Sequence, residues 1–221
     1  MAKTEPDYDE IDDLAAQVGL KIFGGFHPTP DDNAPPQTQT LIMFGPDEPR
    51  FWSIFTNSPE YADGSPDPLD RWSRRVVGGL ADTIGGDALF PFGGPPYVPF
   101  IAWAARTGRA WASPVTLLVH NTAGLFVSYR GAIALHRRLD LGALPVQPCN
   151  TCADQPCRTA CPVQALTQDG YDVAACHAFL DTKDGADCMN RGCKVRRSCP
   201  VSQRLGRAEA QSAFHMKAFH P

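Results

Sequence analysis

The chain has 221 residues, a formal net charge of −4, an apolar share of 43% and a charged share of 20%. These are the values of a globular protein with room for one large domain or two smaller ones. No apolar run is long enough to span a bilayer, so no membrane partner is expected. The mild acidic balance argues against nonspecific binding of nucleic acid.

The first residues are acidic (Glu5, Asp7, Asp9, Glu10, Asp12, Asp13), unlike a secretory leader with its basic start and apolar run. Residues 8–18 predict a helix, with Ile11, Leu14, Ala15 and Val18 on one face and Gly19 as the stop. Gly24-Gly25 and the proline-rich residues 27–36 read as a loop. Residues 40–44 are apolar and bounded by Gly45-Pro46, the pattern of a buried strand, and Phe51, Trp52, Ile54 and Phe55 suit a short helix. A longer helix is expected over 68–84, burying Leu69, Trp72, Val76, Leu80 and Ile84 and ending at Gly85-Gly86. Residues 115–120 and 125–135 read as two strands of a hairpin joined by Asn121-Thr122-Ala123-Gly124. Helices and strands mix without regular alternation, which predicts an α+β fold.

No cysteine precedes position 149, so the chain is expected to divide near Leu144-Pro145. Residues 1–144 then form an α+β domain with a core of Trp52, Phe55, Trp72, Phe100, Trp103 and Trp111. Residues 145–221 form a ferredoxin-like module.

Within the first domain, Phe92-Gly93-Gly94-Pro95-Pro96-Tyr97 has two readings. Glycines permit close backbone approach and prolines fix a loop, which would suit a flat cofactor lying against Gly93, Gly94, Pro95 and Tyr97. A tight turn without any ligand explains the same residues. No Gly-x-Gly-x-x-Gly precedes a helix and no phosphate-binding Gly-Lys-Ser/Thr loop occurs, so nicotinamide dinucleotides and nucleoside triphosphates are not indicated.

The eight cysteines carry most of the functional signal. They read Cys149-x2-Cys152-x4-Cys157-x3-Cys161-Pro162 and Cys188-x4-Cys193-x5-Cys199-Pro200, with Cys176 between the runs. A cubane iron–sulfur cluster takes four thiolates, and in two-cluster ferredoxins the cysteine before proline serves the other cluster. That crossing assigns Cys149, Cys152, Cys157 and Cys199 to one 4Fe–4S cluster and Cys161, Cys176, Cys188 and Cys193 to the other. Two zinc sites and a disulfide framework are the alternatives. Zinc sites usually show two close pairs, and disulfide frameworks belong to short secreted chains. Reduced thiols point to the cytoplasm. The prolines predict a short helix after Cys161 and another after Cys199, with Val163, Ala165, Leu166 and Val201 as an apolar wall. Arg191, Lys194, Arg196 and Arg197 lie inside the second run, as a docking face for an acidic redox partner protein or as a solvated face that offsets cluster charge. Arg71, Arg74 and Arg75 form a second basic patch.

Residues 111–120 (Trp111-Ala112-Ser113-Pro114 through His120), then Gly124-Leu125-Phe126-Val127-Ser128-Tyr129-Arg130-Gly131, then the eight cysteines, resemble the order found in epoxyqueuosine reductases. The run from Tyr171 to His177 matches where those enzymes carry their isolated fifth cysteine, and the segment from His120 to Gly131 also resembles cobalamin-processing reductases of the cobalamin C type. The resemblance implies a cobalamin-binding α+β domain coupled to a two-cluster module, with His120 and Arg130 facing the corrinoid. Phe92 stands where those enzymes have an aspartate thought to donate a proton. The sequence given runs only to Pro221 after the last cysteine, without the helical repeats many of them use for transfer RNA.

Two functions are therefore expected, and they belong to different classes. One is an electron-transfer protein carrying two 4Fe–4S clusters. The other is a reductase in which the clusters feed a corrinoid (cobalamin) or flavin in the first domain. No catalytic acid stands out. The histidines (His27, His120, His136, His177, His215, His220) are scattered and read first as packing or surface residues.

Overall fold

In the computed structural model, which describes residues 5–221, helix α1 (Tyr8–Gln17) opens with a reciprocal cap. Asp7 accepts the Glu10 amide and Glu10 accepts the Asp7 amide, each at 2.9 Å. Ile11 and Ala15 are buried, and Gly19, at φ +82°, turns the chain out of the helix as expected. Strand β1 (Leu20–Phe26) follows and passes straight through Gly24-Gly25, where a loop was expected. A bulge between Ile22 and Gly24 lets the strand absorb the glycines while keeping its pairing with β2 (Thr40–Pro46).

Strand β2 is buried at every position because it is central: β1 lies on one side and β6 (Gly131–Leu135) on the other. Strand β3 (Gly86–Leu89) completes the order β1-β2-β6-β3, antiparallel throughout. Helices α2 (Arg50–Thr56), α3 (Pro59–Ala62) and α4 (Pro68–Ile84) build an aromatic nest. Phe51 meets Trp72 edge-on at 5.3 Å and Phe55 meets Tyr61 at 5.2 Å. The apolar face of α4 carries Leu69, Trp72, Val76, Leu80 and Ile84 and packs on β3 and β6, while α1 and α5 (Phe100–Arg106) pack on β1. These elements make up the first of two compact units, which comprises the described residues up to Arg109 together with Ser128–Leu144.

The second unit comprises Ala110–Val127 and Pro145–Pro221. Residues 110–127, grouped with the first domain on sequence, thus cluster with the cysteine-bearing residues. Strand β4 (Ala110–Ala112) pairs with β5 (Leu118–His120) in a two-stranded sheet. The hairpin expected between 115–120 and 125–135 does not form, since residues 131–135 are strand β6 of the other sheet. The turn that works lies one step earlier: Ser113 donates to the Leu117 carbonyl at 2.9 Å, with Thr116 at φ +62°.

Beyond Pro145 the chain forms 3-10 turns at Pro148–Thr151 and Pro156–Arg158 and helices α6 (Val173–Leu180), α7 (Ala186–Arg191), α8 (Lys194–Ser198), α9 (Pro200–Gln203) and α10 (Glu209–Phe219). α10 packs on α7. Val115, Val119, Leu125, Leu166 and Val195 form one buried cluster with Cys157 and Cys199. Trp111 packs against this cluster, so its place is here and not in the first-domain core expected from the sequence. Among the described residues, no helix is long and apolar enough to cross a membrane.

Candidate iron–sulfur site

All eight cysteines are free thiols, and Cys157, Cys188 and Cys199 are buried. The 3-10 turns at Pro148–Thr151 and Pro156–Arg158 bring Cys149 and Cys157 into the second-unit core, beside Cys199 at the start of α9. Burial pushes the Cys149 thiol up, and Cys157, Cys199 and Cys152 push it the same way. Burial likewise raises Cys157, again with Cys199 and Cys152 as its thiol neighbours. Cys176, raised by burial, has Cys193 and Cys161 beside it, and Cys188, raised by burial, has Cys193. Each of these four thiols thus feels only thiols of one group, Cys149, Cys152, Cys157 and Cys199 or Cys161, Cys176, Cys188 and Cys193. Among the described residues, no three metal-binding side chains converge tightly enough to grip a single ion. A cubane places each thiolate on a different iron and has no need of such convergence.

Local structure explains how three of the thiols are placed. Cys199 precedes the proline that starts α9, as predicted. No helix follows Cys161, however. Gln164, at φ +50°, bends the chain back so that the Ala165 amide donates to Cys161 Sγ at 3.2 Å and Leu166 bridges to Tyr171. This reversal leaves Val163 39% exposed, outside the apolar wall, whereas Ala165 and Leu166 are buried and Val201 packs on the core. Asp172 then caps α6 by accepting the Ala175 amide at 2.9 Å, and the first turn of that helix presents Cys176.

Two groups beside the thiols were named on sequence only as members of longer runs. Burial, with Cys176 and Cys193 nearby, pushes the Tyr171 phenol well above its ordinary titration range. Arg196 donates to the Leu125 carbonyl and lies beside Cys193 and Tyr171. The signal for Tyr171 was its place five residues before Cys176; Arg196 looked like one member of a solvated basic run. Its neighbours are tied down too: Arg197 and Lys194 pair with Asp187, the latter at 3.7 Å, and Arg191 pairs with Glu209 at 2.6 Å. In the other basic patch, Arg71 pairs with Asp63 and Arg75 with Glu60.

The residues expected to face a flat cofactor fall in both units. His120 belongs to the second and is 2% exposed; its Nδ1 accepts the Thr122 and Ala123 amides at 3.3 Å, holding the turn that ends at Gly124. Gly93, Gly94, Pro95, Tyr97 and Arg130 belong to the first. There the space left by the glycines is filled by the protein. A Cβ on Gly93 would stand 2.1 Å from the Arg74 guanidinium, which lies over Phe92 at 5.0 Å, and one on Gly94 would stand 2.7 Å from the Pro96 carbonyl oxygen. Tyr97 is 69% exposed.

Arg130 differs. Its amide donates to the Phe44 carbonyl at 2.8 Å, while its Nε and the neighbouring Tyr129 hydroxyl are sealed from solvent without a hydrogen-bond partner. Asp70 is its nearby countercharge. A separate pocket of about 250 Å³ in the first unit is lined by His27, Arg106, Thr107 and Arg109. Asp32 already grips Arg106 at 2.8 Å, and the Leu139 carbonyl lies 3.0 Å from His27 Nε2.

Comparison of the chain with models of protein families, with curated proteins and with solved structures finds no match.

Proposed function

We propose that this protein is a ferredoxin-like electron carrier that holds two 4Fe–4S clusters. The observation that carries the reading is that Cys157 and Cys199, from different cysteine runs, are buried in one cluster, with Cys149, Cys161 and Cys193 packed against it. Cys149, Cys152, Cys157 and Cys199 would hold one cluster, and Cys161, Cys176, Cys188 and Cys193 the other. The donor set fits: four thiolates each, apolar neighbours that exclude water, and an amide N–H on Cys161. When bound, such a cluster supplies one-electron oxidation and reduction with no atom transferred. The chain's own part is to fix the thiolates, keep water from sulfide through Val115, Val119, Leu125, Leu166 and Val195, and offer hydrogen bonds to sulfur. A redox partner protein would deliver or collect electrons, with the first unit as a docking or regulatory body.

Iron and acid-labile sulfide in protein purified without oxygen test this directly. About eight of each per chain is the expected result. Two zinc ions and no sulfide would overturn the reading.

A second reading has its own support in the sealed Tyr129 hydroxyl and Arg130 Nε. Buried polar atoms without partners are costly and commonly await a ligand. In this reading the first unit binds a corrinoid or flavin, Arg130 pairs with an anionic group on it, and the clusters reduce it. Cobalamin and flavin titrated separately into cluster-loaded protein distinguish the readings. Micromolar or tighter binding, about −8 kcal/mol, that weakens in Arg130→Gln supports the reductase. Absence of binding leaves the carrier.

A further inference from the structure

The pocket of about 250 Å³ lies wholly within the first unit, between the end of β1, the end of α5 and the segment carrying Leu141 and Leu144. A water takes about 30 Å³ of liquid, so this space holds about eight waters or one small organic molecule. Two of the lining groups are guanidiniums, Arg106 and Arg109, and both are fixed in place by the fold. Arg106 donates to Asp32 from Nε at 2.8 Å and from Nη2 at 3.2 Å, and it lies over the Phe26 ring, 5.6 Å from the ring centre. Its Nη1 has no hydrogen-bond partner among the described residues. The Arg109 amide donates to Thr107 Oγ1 at 3.1 Å, and its stem runs past Gly24, where a Cβ would stand 3.1 Å from Arg109 Cδ and 2.7 Å from Thr107 Cβ. Gly24, at φ +129°, thus makes room for that stem. The head of Arg109 reaches only the Ala143 carbonyl, 3.4 Å from Nη2, and no carboxylate pairs with it among the described residues. Asp32 therefore answers one of the two charges, and a long contact with a carbonyl does not answer the other.

We propose that this pocket binds a small molecule carrying an oxyanion, either a carboxylate or a phosphate, held by Arg109 and by Arg106 Nη1. Guanidinium forks match the paired oxygens of such groups, and donors already held in place lose little freedom on binding. Phe26 and Leu141 would cover the apolar part of the ligand. The volume lies below the range of drug-sized sites, so a corrinoid or flavin is too large for it. The site is separate from Arg130 and needs no cluster. It gives the first unit a ligand of its own.

The test is isothermal titration calorimetry on the full chain, with inorganic phosphate and succinate as separate probes in a chloride buffer of low ionic strength. At least one probe should bind with a Kd of about 1 mM or tighter. Arg109→Gln should weaken that binding at least about tenfold, and Arg109→Lys, which keeps the charge but loses the fork, should weaken it by a smaller factor. If Arg109→Gln does not fold, Arg109→Lys carries the same comparison. Lys217→Gln removes the same charge from an exposed position in the second unit and should leave binding unchanged. Binding of phosphate alone assigns the site to phosphate esters, and binding of succinate alone to organic acids. Silence of both probes, unchanged binding in the Arg109 variants, or an equal loss in Lys217→Gln overturns the proposal.

Discussion

At the residue scale, Cys176 is the thiol whose role is least evident from spacing, since it stands apart from both runs. The first turn of α6 brings it to Cys161 and Cys193. Cys176→Ser should lower bound iron from about eight to about four per chain and leave the other cluster spectrally intact. Unchanged iron would make Cys176 a spare thiol. A second residue-scale case is Glu60, which is 8% exposed and is gripped by Arg75, whose Nη2 lies 2.9 Å away. That hydrogen bond holds the carboxyl well down, from 4.5 to about 2. Its folded value lies below its unfolded one, so the pair contributes stability fully above pH 4.5 and loses it as pH falls through about 2. Arg75 is 54% exposed, so solvent screening limits the contribution to about 1 kcal/mol. Glu60→Gln should lose about that much at neutral pH and flatten the acid limb of first-unit unfolding, read by denaturant titration at several pH values.

At the element scale, what was legible in the sequence was what local chemistry decides. The capping box at Asp7, the apolar face of α4 with its Gly85 stop, and the continuous apolar run of β2 all give one answer at short range. The failures share a cause. Whether 115–120 pairs with β4 or with the residues after it depends on partners far along the chain, and Asn121–Gly124 is as good a turn signal as Ser113–Leu117. The missing helix after Cys161 fails for a similar reason, because the Ala165 amide goes to sulfur and not to a helical carbonyl. The candidate thiols were readable because ligand spacing is itself local, whereas Tyr171 and Arg196 acquire meaning only through contacts made in the fold.

One element-scale prediction concerns Gly124, which closes the turn after β5. At φ +57° a Cβ would stand 2.5 Å from the Ser202 amide nitrogen, and the Ser202 hydroxyl accepts the Leu125 amide at 2.8 Å. This close approach fastens the β4–β5 hairpin to α9, the helix that begins after Cys199. Gly124→Ala should destabilise the second unit by about 2 kcal/mol or more and speed cluster loss to an iron chelator. Equal chelation rates for variant and wild type would show that the hairpin does not support the site.

At the scale of the whole molecule, the two units draw stability from different sources. The first has an aromatic and aliphatic core built on Phe44, Phe51, Phe55, Trp72 and Trp103, all about fully buried. The second has a smaller cluster in which Cys157 and Cys199 are themselves core members. Thiols brought together without a compensating cation repel as they ionise, and on the two-cluster reading iron would supply that cation. Iron removal should therefore unfold the second unit and leave the first standing. Limited proteolysis of the apoprotein should cut first within 145–221 and spare residues 8–106. Equal resistance in both regions contradicts the division. By the same logic, residues 145–221 expressed alone lack Val115, Val119 and Leu125 and should fail to retain clusters.

The discontinuity of the second unit also bears on how the protein is made. Translation delivers Val115, Val119 and Leu125 before the ribosome reaches Cys157 and Cys199, so these apolar residues wait for their neighbours and, on the two-cluster reading, for metal. A newborn chain starved of iron would keep them uncovered, in the form that chaperones hold and proteases degrade. Cellular iron would then govern the protein's lifetime as well as its redox competence. A pulse-chase measurement should find the half-life shortened under iron limitation and restored when iron returns.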